Sequence, residues 1–397
     1  MQTKKRKSPS LRFRGYTDDW EERKLAEVSK IKTGSSDLQD ATNNGEYPFF
    51  VRSEKIERSN RYLFDGEAIL IPGEGRLGEI YHYINGKFDF HQRVYKISNF
   101  TDFKVSGIYI FYYMQRNFKR HAMKFTVKAT VDSLRLPMLT EFDIKIPLEE
   151  EQQKIGSFFK QLDDTIALHQ RKLDLLKEQK KGFLQKMFPK NGAKVPEFRF
   201  EGFTDDWEER KLSDLTESHN SGVYIPKDQY GEGTNIIGVG DIYDSDVVDG
   251  QRYRLAPVKD KRFILHTNDL LYGESSLVPE GIARVVSVSE AGAGTAFAWH
   301  TRRFKVNQVT LNSRFLGLEL DYWLPARSHL MRSSTKTALT GITTQDFFNT
   351  QIVFPSKPEQ EKIATLINSL DTAIALHQRK LDLLKEQKKG FLQKMFI

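Results

Sequence analysis

The chain has 397 residues, which is long enough for two or three folded domains, and 39% of them are hydrophobic. It contains no cysteine, which excludes disulfides, thiolate zinc sites and cysteine nucleophiles. The net charge of +8 permits nucleic-acid binding, but two repeated basic segments account for the whole excess. No apolar run approaches the roughly 20 residues that span a bilayer. Because no secretory signal is recognised in Met1–Arg14, we expect a cytoplasmic protein.

The first variable region, residues 23–147, alternates short apolar runs with turn residues. Strands are predicted at Ala68–Pro72, Arg93–Ile97 and Asp143–Pro147, and an aromatic helix at Ser106–Arg120. Residues 73–78 fit the GxGxxG pattern after a strand. A dinucleotide-binding turn would then need a helix, whereas Glu79–Asn85 has the pattern of another strand. We therefore expect a turn or a base-reading loop there and no cofactor.

A long helix is predicted from Glu149 onward, and its sequence occurs twice. The segment Ile166–Phe188 recurs without change at Ile374–Phe396. The phrase TDDWEERKL occurs once upstream of each helix, within residues 11–25 and within residues 198–212. Each helix begins just past a proline and would extend roughly 60 Å over about 40 residues. Gly182 and Gly390 are expected to end or bend it.

Both repeat helices carry apolar residues at alternating spacings of four and three, the heptad seam of a coiled coil. The predicted seam residues are Ile155, Phe159, Leu162, Ile166, Leu173, Leu176, Ile363, Ile367, Leu370, Ile374, Leu381 and Leu384. His169, His377, Lys180 and Lys388 interrupt the seam, and we interpret the histidines as register-setting residues rather than metal ligands. Since neither seam can remain exposed, the helices should pack on each other. An antiparallel arrangement would place the variable regions at opposite ends.

The second variable region repeats the layout of the first with a different sequence. Strands are predicted at Ile236–Val239, Asp269–Tyr272, Ala283–Val288, Arg303–Val306 and Gln351–Phe354, and a helix at Leu316–Ser333. The predicted fold class is α+β, with two α/β domains separated by an antiparallel coiled coil and pseudo-two-fold internal symmetry. The predicted boundaries are 1–147 for the first domain, 148–190 for the first repeat helix, 191–355 for the second domain and 356–397 for the second helix.

The sequence lacks recognisable catalytic motifs, which argues against an enzyme. There is no GxxxxGK[ST] phosphate loop, no tetrapeptide of the kind used for adenine methylation and no recognisable nuclease carboxylate pair, so no catalytic residue or metal ligand is predicted. Donors suited to base edges and phosphates do cluster in acid-poor stretches. These DNA-binding candidates are Arg76, His91, Gln92, Arg93, Arg116, Lys119, Arg120, Lys124, Lys128, Arg302, Arg303, Lys305, Arg332, Lys336 and Thr337.

The combined phrases resemble the specificity (S) subunit of type I restriction-modification systems, the HsdS family. They are FRFEGFTDDWEERKLSDL, the stretches from TVDSLR or ALTGIT into IxxP, and the helix KLDLLKEQKKGFLQKMF. The resemblance covers essentially the whole chain and implies two target-recognition domains, each reading half of a split double-stranded DNA site. It also implies a coiled coil that fixes the gap between the two halves.

The same resemblance implies partners. Two methyltransferase subunits would dock on the repeat helices and methylate adenine with S-adenosylmethionine, and restriction subunits would add cleavage that depends on ATP and Mg²⁺. No cofactor is expected in this chain itself.

Two other interpretations stay open. One is a self-contained methyltransferase or nuclease, which the missing motifs disfavour. The other is a coiled-coil adaptor without intrinsic sequence reading, which the two dissimilar folded regions disfavour. The basic flank of the helices is likewise open to interpretation as a solvated face, a partner surface or a phosphate contact.

Overall fold

The computed structural model describes residues 8–76, 78–125, 133–190, 192–243, 245–250, 253–276, 281–335 and 340–396. The chain divides into two compact units, and each of them combines a sheet domain with part of both long helices. The first unit is Met1–Arg171 together with His377–Ile397, and the second is Lys172–Leu376. Within the described residues, no helix is both long enough and apolar enough to cross a membrane.

The first unit is built on a six-stranded sheet. Its strands and helices are β1 (Glu21–Lys24), β2 (Lys30–Thr33), β3 (Tyr47–Phe50), β4 (Ile56–Ser59), β5 (Phe64–Pro72), β6 (His82–Phe90), β7 (Val94–Ser98), β8 (Asp143–Ile146), α1 (Gly107–Ala122), α2 (Leu136–Thr140) and the start of α3 (Glu149–Lys186). The sheet order is β2-β7-β5-β6-β3-β4, and only β3 and β6 pair in parallel. Strands β1 and β8 form a separate pair. Ser106 caps α1, whose aromatic face packs on the sheet through Tyr109 and Phe118.

The second unit uses the same central sheet plan with more, shorter strands. Its strands are β9 (Glu208–Lys211), β10 (Thr216–Ser221), β11 (Thr234–Ile237), β12 (Val247–Val248), β13 (Arg254–Ala256), β14 (Leu270–Gly273), β15 (Ser275–Ser276), β16 (Val285–Val288), β17 (Ala296–Phe297), β18 (Thr301–Val306), β19 (Thr340–Gly341) and β20 (Gln351–Phe354). Its helices are α4 (Leu212–Leu215), α5 (Val239–Ile242), α6 (Ser313–Tyr322), α7 (Leu324–Arg332), α8 (Thr344–Phe348) and the start of α9 (Lys357–Met395).

The central sheets of the two units correspond strand by strand. The order β10-β18-β14-β16 in the second unit matches β2-β7-β5-β6 in the first, with antiparallel neighbours in both. The sheets differ at one edge, where the second unit has β12 and a separate three-stranded sheet, β13-β11-β17. The two units are therefore related folds that carry different sequences.

Several predicted elements need correction. The helix predicted at Leu316–Ser333 is two helices, because Trp323 has an extended backbone and Pro325 lies in the first turn of α7. The strand predicted at Ile236–Val239 ends at Ile237, since Val239 already begins α5. Ala283 has a positive φ of 53°, so its strand begins only at Val285. Neither Gly182 nor Gly390 ends its helix.

The long helices α3 and α9 pair in opposite directions. In the first unit, Phe159 near the start of α3 stacks on Phe396 just beyond α9, with ring centroids 5.6 Å apart. In the second unit, Leu184 and Met187 at the end of α3 share a core with Ile363 and Ile367 at the start of α9. This is the predicted antiparallel coiled coil. The seam residues are buried, except for the half-buried Leu162, Ile166, Leu370 and Ile374.

Each polar interruption of the seam has a partner on the other helix. The Nδ1 atoms of His169 and His377 lie 3.0 Å apart, so one ring can donate its N–H to the other. Lys388 Nζ lies 2.6 Å from Asp163 Oδ1 in the first unit. The equivalent Lys180 Nζ lies 2.7 Å from Asp371 Oδ1 in the second. Among the residues that the structure describes, no cluster of three potential ligands could hold a metal ion. The register-setting role of the histidines stays a prediction, for which these pairs supply cross-helix contacts.

A second duplicated feature, here called the collar, attaches each sheet domain to its long helix. In the first unit it comprises the β1–β8 pair and Arg12, whose guanidinium donates two hydrogen bonds to Glu151, at 2.9 and 2.7 Å. In the second unit it comprises the β9–β20 pair and Arg199, which binds Glu359 in the same way, at 2.9 and 2.8 Å. Both glutamates are buried, where such two-point pairs are strong and directional. The repeated phrases thus form the scaffold around the variable sequences.

Candidate nucleic-acid interface

In the first unit, charged side chains gather where the central strand β5 ends. Glu74 follows this strand and accepts a hydrogen bond from Arg52 Nη1 at 3.1 Å and another from Arg93 Nη1. Arg93 immediately precedes β7, the antiparallel neighbour of β5, which is why it faces Glu74. The bonds from Arg52 and then Arg93 lower the pKa of Glu74. Arg93 remains more than half exposed, so its guanidinium is both held and accessible.

The neighbouring candidates His91 and Gln92 shape the turn before β7. The His91 ring is buried, and its Nδ1 accepts a hydrogen bond from the backbone N–H of Arg93 at 2.9 Å. The Gln92 amide donates to Asp37 Oδ2 at 3.0 Å. Arg76, in the turn after β5, is exposed and pairs with Glu54. Of these four neighbouring candidates, Arg76 and Arg93 are the exposed cations, whereas His91 supports the backbone that presents Arg93.

A second basic surface lies along α1. Arg116, Lys119 and Arg120 are exposed and line an open cleft of about 830 Å³, together with Gly78 and Tyr81. Lys119 forms an ion pair with Glu79, also in this cleft. Lys124 is exposed just beyond the end of the helix. The candidate Lys128 lies outside the described residues.

In the second unit, Arg302 lies in the corresponding region of the sheet, on β18 beside the end of β14. Its Nε donates to Glu274 Oε1 at 2.6 Å, and its Nη2 donates to Ser221 Oγ at 2.7 Å. Its Nη1 lies 3.2 Å from His219 Nδ1. Burial, and then the charge of Arg302, lowers the pKa of His219, which favours a neutral ring able to accept that bond. The Arg302 guanidinium is therefore fixed on several sides.

The other second-unit candidates fall into two environments. Arg303 is largely buried, donates to Asn220 Oδ1 and to the Ile264 carbonyl, both at 3.0 Å, and lies over the Phe297 ring. Lys305 is more exposed and lies 3.5 Å from Asp269. Arg332 is exposed at the end of α7. Lys336 and Thr337 lie outside the described residues.

The structure also brings together residues that sequence reasoning missed. Lys30, Lys32 and Lys96 share a cleft of about 490 Å³. Lys32 and Lys96 are direct cross-strand neighbours, and burial followed by the charge of Lys32 lowers the pKa of Lys96 to about 8. In the second unit, Tyr224 and Trp299 form an exposed aromatic pair with ring centroids 5.3 Å apart. The alternation of Lys30 and Lys32 and the isolated Trp299 were the available sequence signals.

The sequence of this chain is similar to a known family and to known proteins. The family model described as the type I restriction modification DNA specificity domain matches residues 17–178 and 204–386. The chain is 29% identical over 188 residues to the specificity subunit of the type I restriction enzyme EcoDI from Escherichia coli, a match over 46% of this chain and 40% of that protein. It is 23% identical over 384 residues to the putative type I restriction enzyme MjaX specificity subunit from Methanocaldococcus jannaschii, a match over 92% and 85% of the two chains.

A solved structure shares the fold. The crystal structure of the type I restriction-modification system S subunit from M. genitalium superposes with a TM-score of 0.71, at 13% identity, over 98% of this chain and 99% of that one. The family model accounts for most of this sequence, including both sheet domains and the larger part of both long helices. The chain therefore belongs to the type I restriction-modification DNA specificity family.

Proposed function

We propose that this protein selects the DNA target of a type I restriction-modification complex by reading a bipartite site, with one half-site for each sheet domain. The observation that carries the proposal is the contrast between a duplicated scaffold and unlike readers. The collar contacts of Arg12 and Arg199 are the same, whereas the candidate readers Arg93 and Arg302 occupy different local surroundings. One scaffold with two different surfaces suits a target with two different halves.

The same duplication supports two equivalent docking sites for methyltransferase subunits. Leu168, in the first unit, lies on α3 outside the coiled-coil seam and is more than half exposed. Its copy on α9, Leu376, lies in the second unit and is exposed to a similar extent. Exposed leucines repeated on two identical helix surfaces suit the binding of two copies of one partner.

In this proposal the protein contributes recognition and assembly, and its partners contribute the chemistry. S-adenosylmethionine would bind to the methyltransferase subunits, whose product is methylated adenine, and ATP and Mg²⁺ would act with the restriction subunits. The missing nucleotide-binding and methylation motifs agree with this division of labour. So does β6, because a strand rather than a helix follows the glycine-rich sequence at residues 73–78.

The test is to map methylated adenines in DNA exposed to the complete complex, first with the native chain and then with residues 23–147 replaced by the same region of another family member. We expect a two-part motif of which only one half changes. A change in both halves would contradict the assignment of one half-site to each domain. Methylation without sequence preference would favour the rival interpretation, an adaptor that does not read DNA.

A further inference from the structure

Both sheet domains have a Gly-Glu dipeptide at the end of the central strand, here called the corner. This dipeptide lies outside the repeated sequence phrases. Gly73 and Glu74 follow β5, whereas Gly273 ends β14 and Glu274 follows it. We propose that Glu74 and Glu274, each just past the central strand of its domain, are positioning residues that orient the DNA-reading arginines of their domains and thereby set base selectivity. The proposal rests on the proposed function and adds residues that it does not include.

The same two kinds of backbone hydrogen bond hold the strand end in both domains, at Gly73 in the first and at Glu274 in the second, so the two glutamates differ by one position in register. The N–H of Gly73 donates to the Arg93 carbonyl at 2.8 Å, and the N–H of Glu274 donates to the His300 carbonyl at 2.8 Å. Residues upstream of the closing strands β8 and β20 make the second bond: Leu134 N–H donates to the Gly73 carbonyl at 2.8 Å, and Ile342 N–H donates to the Glu274 carbonyl at 3.1 Å. The dipeptide is therefore fixed between the start of the adjacent strand and the scaffold.

Each carboxylate then binds an arginine on that adjacent strand or directly before it. Glu74 holds Arg93, with Arg52 on its other oxygen, and Glu274 holds Arg302, with Ser221 on its other oxygen. A guanidinium has five N–H donors in a rigid planar fork, so fixing one edge directs the others. An arginine that reads guanine must present two donors in one plane, which makes this orientation a determinant of selectivity.

Electrostatics separates this role from that of a simple DNA contact. A carboxylate near the phosphate backbone repels it. The presence of a glutamate at both corners therefore lowers the affinity for DNA. In the proposed role, each glutamate lowers the affinity but fixes the orientation of the arginine guanidinium. Replacing one with glutamine would then leave binding intact or stronger while making it less selective.

The experiment uses the full chain assembled with its methyltransferase subunits. Bound sequences are selected from a randomised DNA duplex library for the wild type and for Glu74→Gln and Glu274→Gln. We expect the preference for the correct base over incorrect bases to fall about tenfold in one half-site, without loss of overall affinity. The affected half-site should differ between the two variants. Asp143→Asn, which breaks the exposed Lys24–Asp143 pair in the first unit, is the matched control and should leave both half-sites unchanged.

A double-mutant cycle tests whether Glu74 acts through Arg93. In an Arg93→Ala background, Glu74→Gln should add no further loss of selectivity. A further loss there would mean that Glu74 contacts a base itself and would overturn the positioning role, as would wild-type selectivity in both single variants. If both variants lose affinity equally for all sequences and melt at a lower temperature, the glutamates have only a structural role. If the wild-type complex itself shows no sequence preference, the proposed function fails first.

Discussion

Asp246 provides the sharpest test of how the second unit is held to its helices. Its carboxylate accepts a hydrogen bond from Lys180 Nζ on α3 at 2.7 Å and one from Arg284 Nη2 at 2.9 Å. It lies 4.0 Å from Arg314 on α6, and the hydroxyl of Tyr322 donates to it at 3.1 Å. Burial alone would raise the pKa of Asp246, but the surrounding cations, led by Lys180, lower it. The carboxylate is therefore ionised at neutral pH.

The change Asp246→Asn would leave three cations around a neutral amide. Removing one partner from a buried ion pair costs about 3–5 kcal/mol. Arg314 and Lys180 both retain Asp371, and Arg284 retains Asp321, so we expect the lower end, about 3 kcal/mol. Because the folded pKa lies below 3.8, this contribution is present at neutral pH and is lost as the pH falls through the folded pKa.

The measurement is urea unfolding of the full chain at pH 7, followed by fluorescence. The matched control is Asp163→Asn in the first unit, because Asp163 occupies the same repeat position as Asp371 and pairs with Lys388 and Tyr112. Asp163 is one-third exposed, so its loss should cost about 1 kcal/mol. Equal effects of the two changes, or a neutral effect of Asp246→Asn, would refute the idea that this carboxylate organises the cation cluster.

Four further outcomes are expected. Burial raises the pKa of Asp321 to about 7, so stability should fall as the pH rises from about 4 to about 7, and Asp321→Asn should flatten that slope in unfolding measured across this range. Phe159→Ala should cost about 3–5 kcal/mol in urea unfolding, because this fully buried ring packs on Tyr112 and Phe396; a loss below 1 kcal/mol would contradict its place in the core. Leu168→Glu should change stability by no more than about 0.5 kcal/mol yet reduce the bound methyltransferase subunits from two to one, as counted by native mass spectrometry. Inserting about one helical turn, roughly 5.4 Å, into both long helices should widen the unread gap of the methylated motif by one or two base pairs, and an unchanged gap would exclude the spacer role.

The scaffold was predictable because its signals are local or repeated. The heptad spacing gave the antiparallel helix pair, and Pro147 and Pro355 placed the helix starts close to Glu149 and Lys357. The errors came from single residues that override an average pattern. Pro325 divides one predicted helix, and Ala283, with its positive φ, shortens one predicted strand.

The candidate interface was predictable by residue type but not by environment. Arg302 and Arg303 are adjacent in the sequence, yet Arg302 is fixed at a strand corner by Glu274 whereas Arg303 is hydrogen-bonded to the Ile264 carbonyl. Their side chains point to opposite faces of β18, and only the sheet register determines what each one meets. Glu74 was missed for the same reason, since its partners Arg52 and Arg93 lie far from it along the chain.

The end of each long helix contacts one copy of the repeated segment that precedes the sheet domain. In the second unit, Phe198 N–H donates to the Lys186 carbonyl at 2.9 Å, and a short covalent connection joins the two residues. In the first unit, Leu11 N–H donates to the Lys394 carbonyl at 3.0 Å with no such connection between them. The contact thus forms whether or not a peptide linker supplies it.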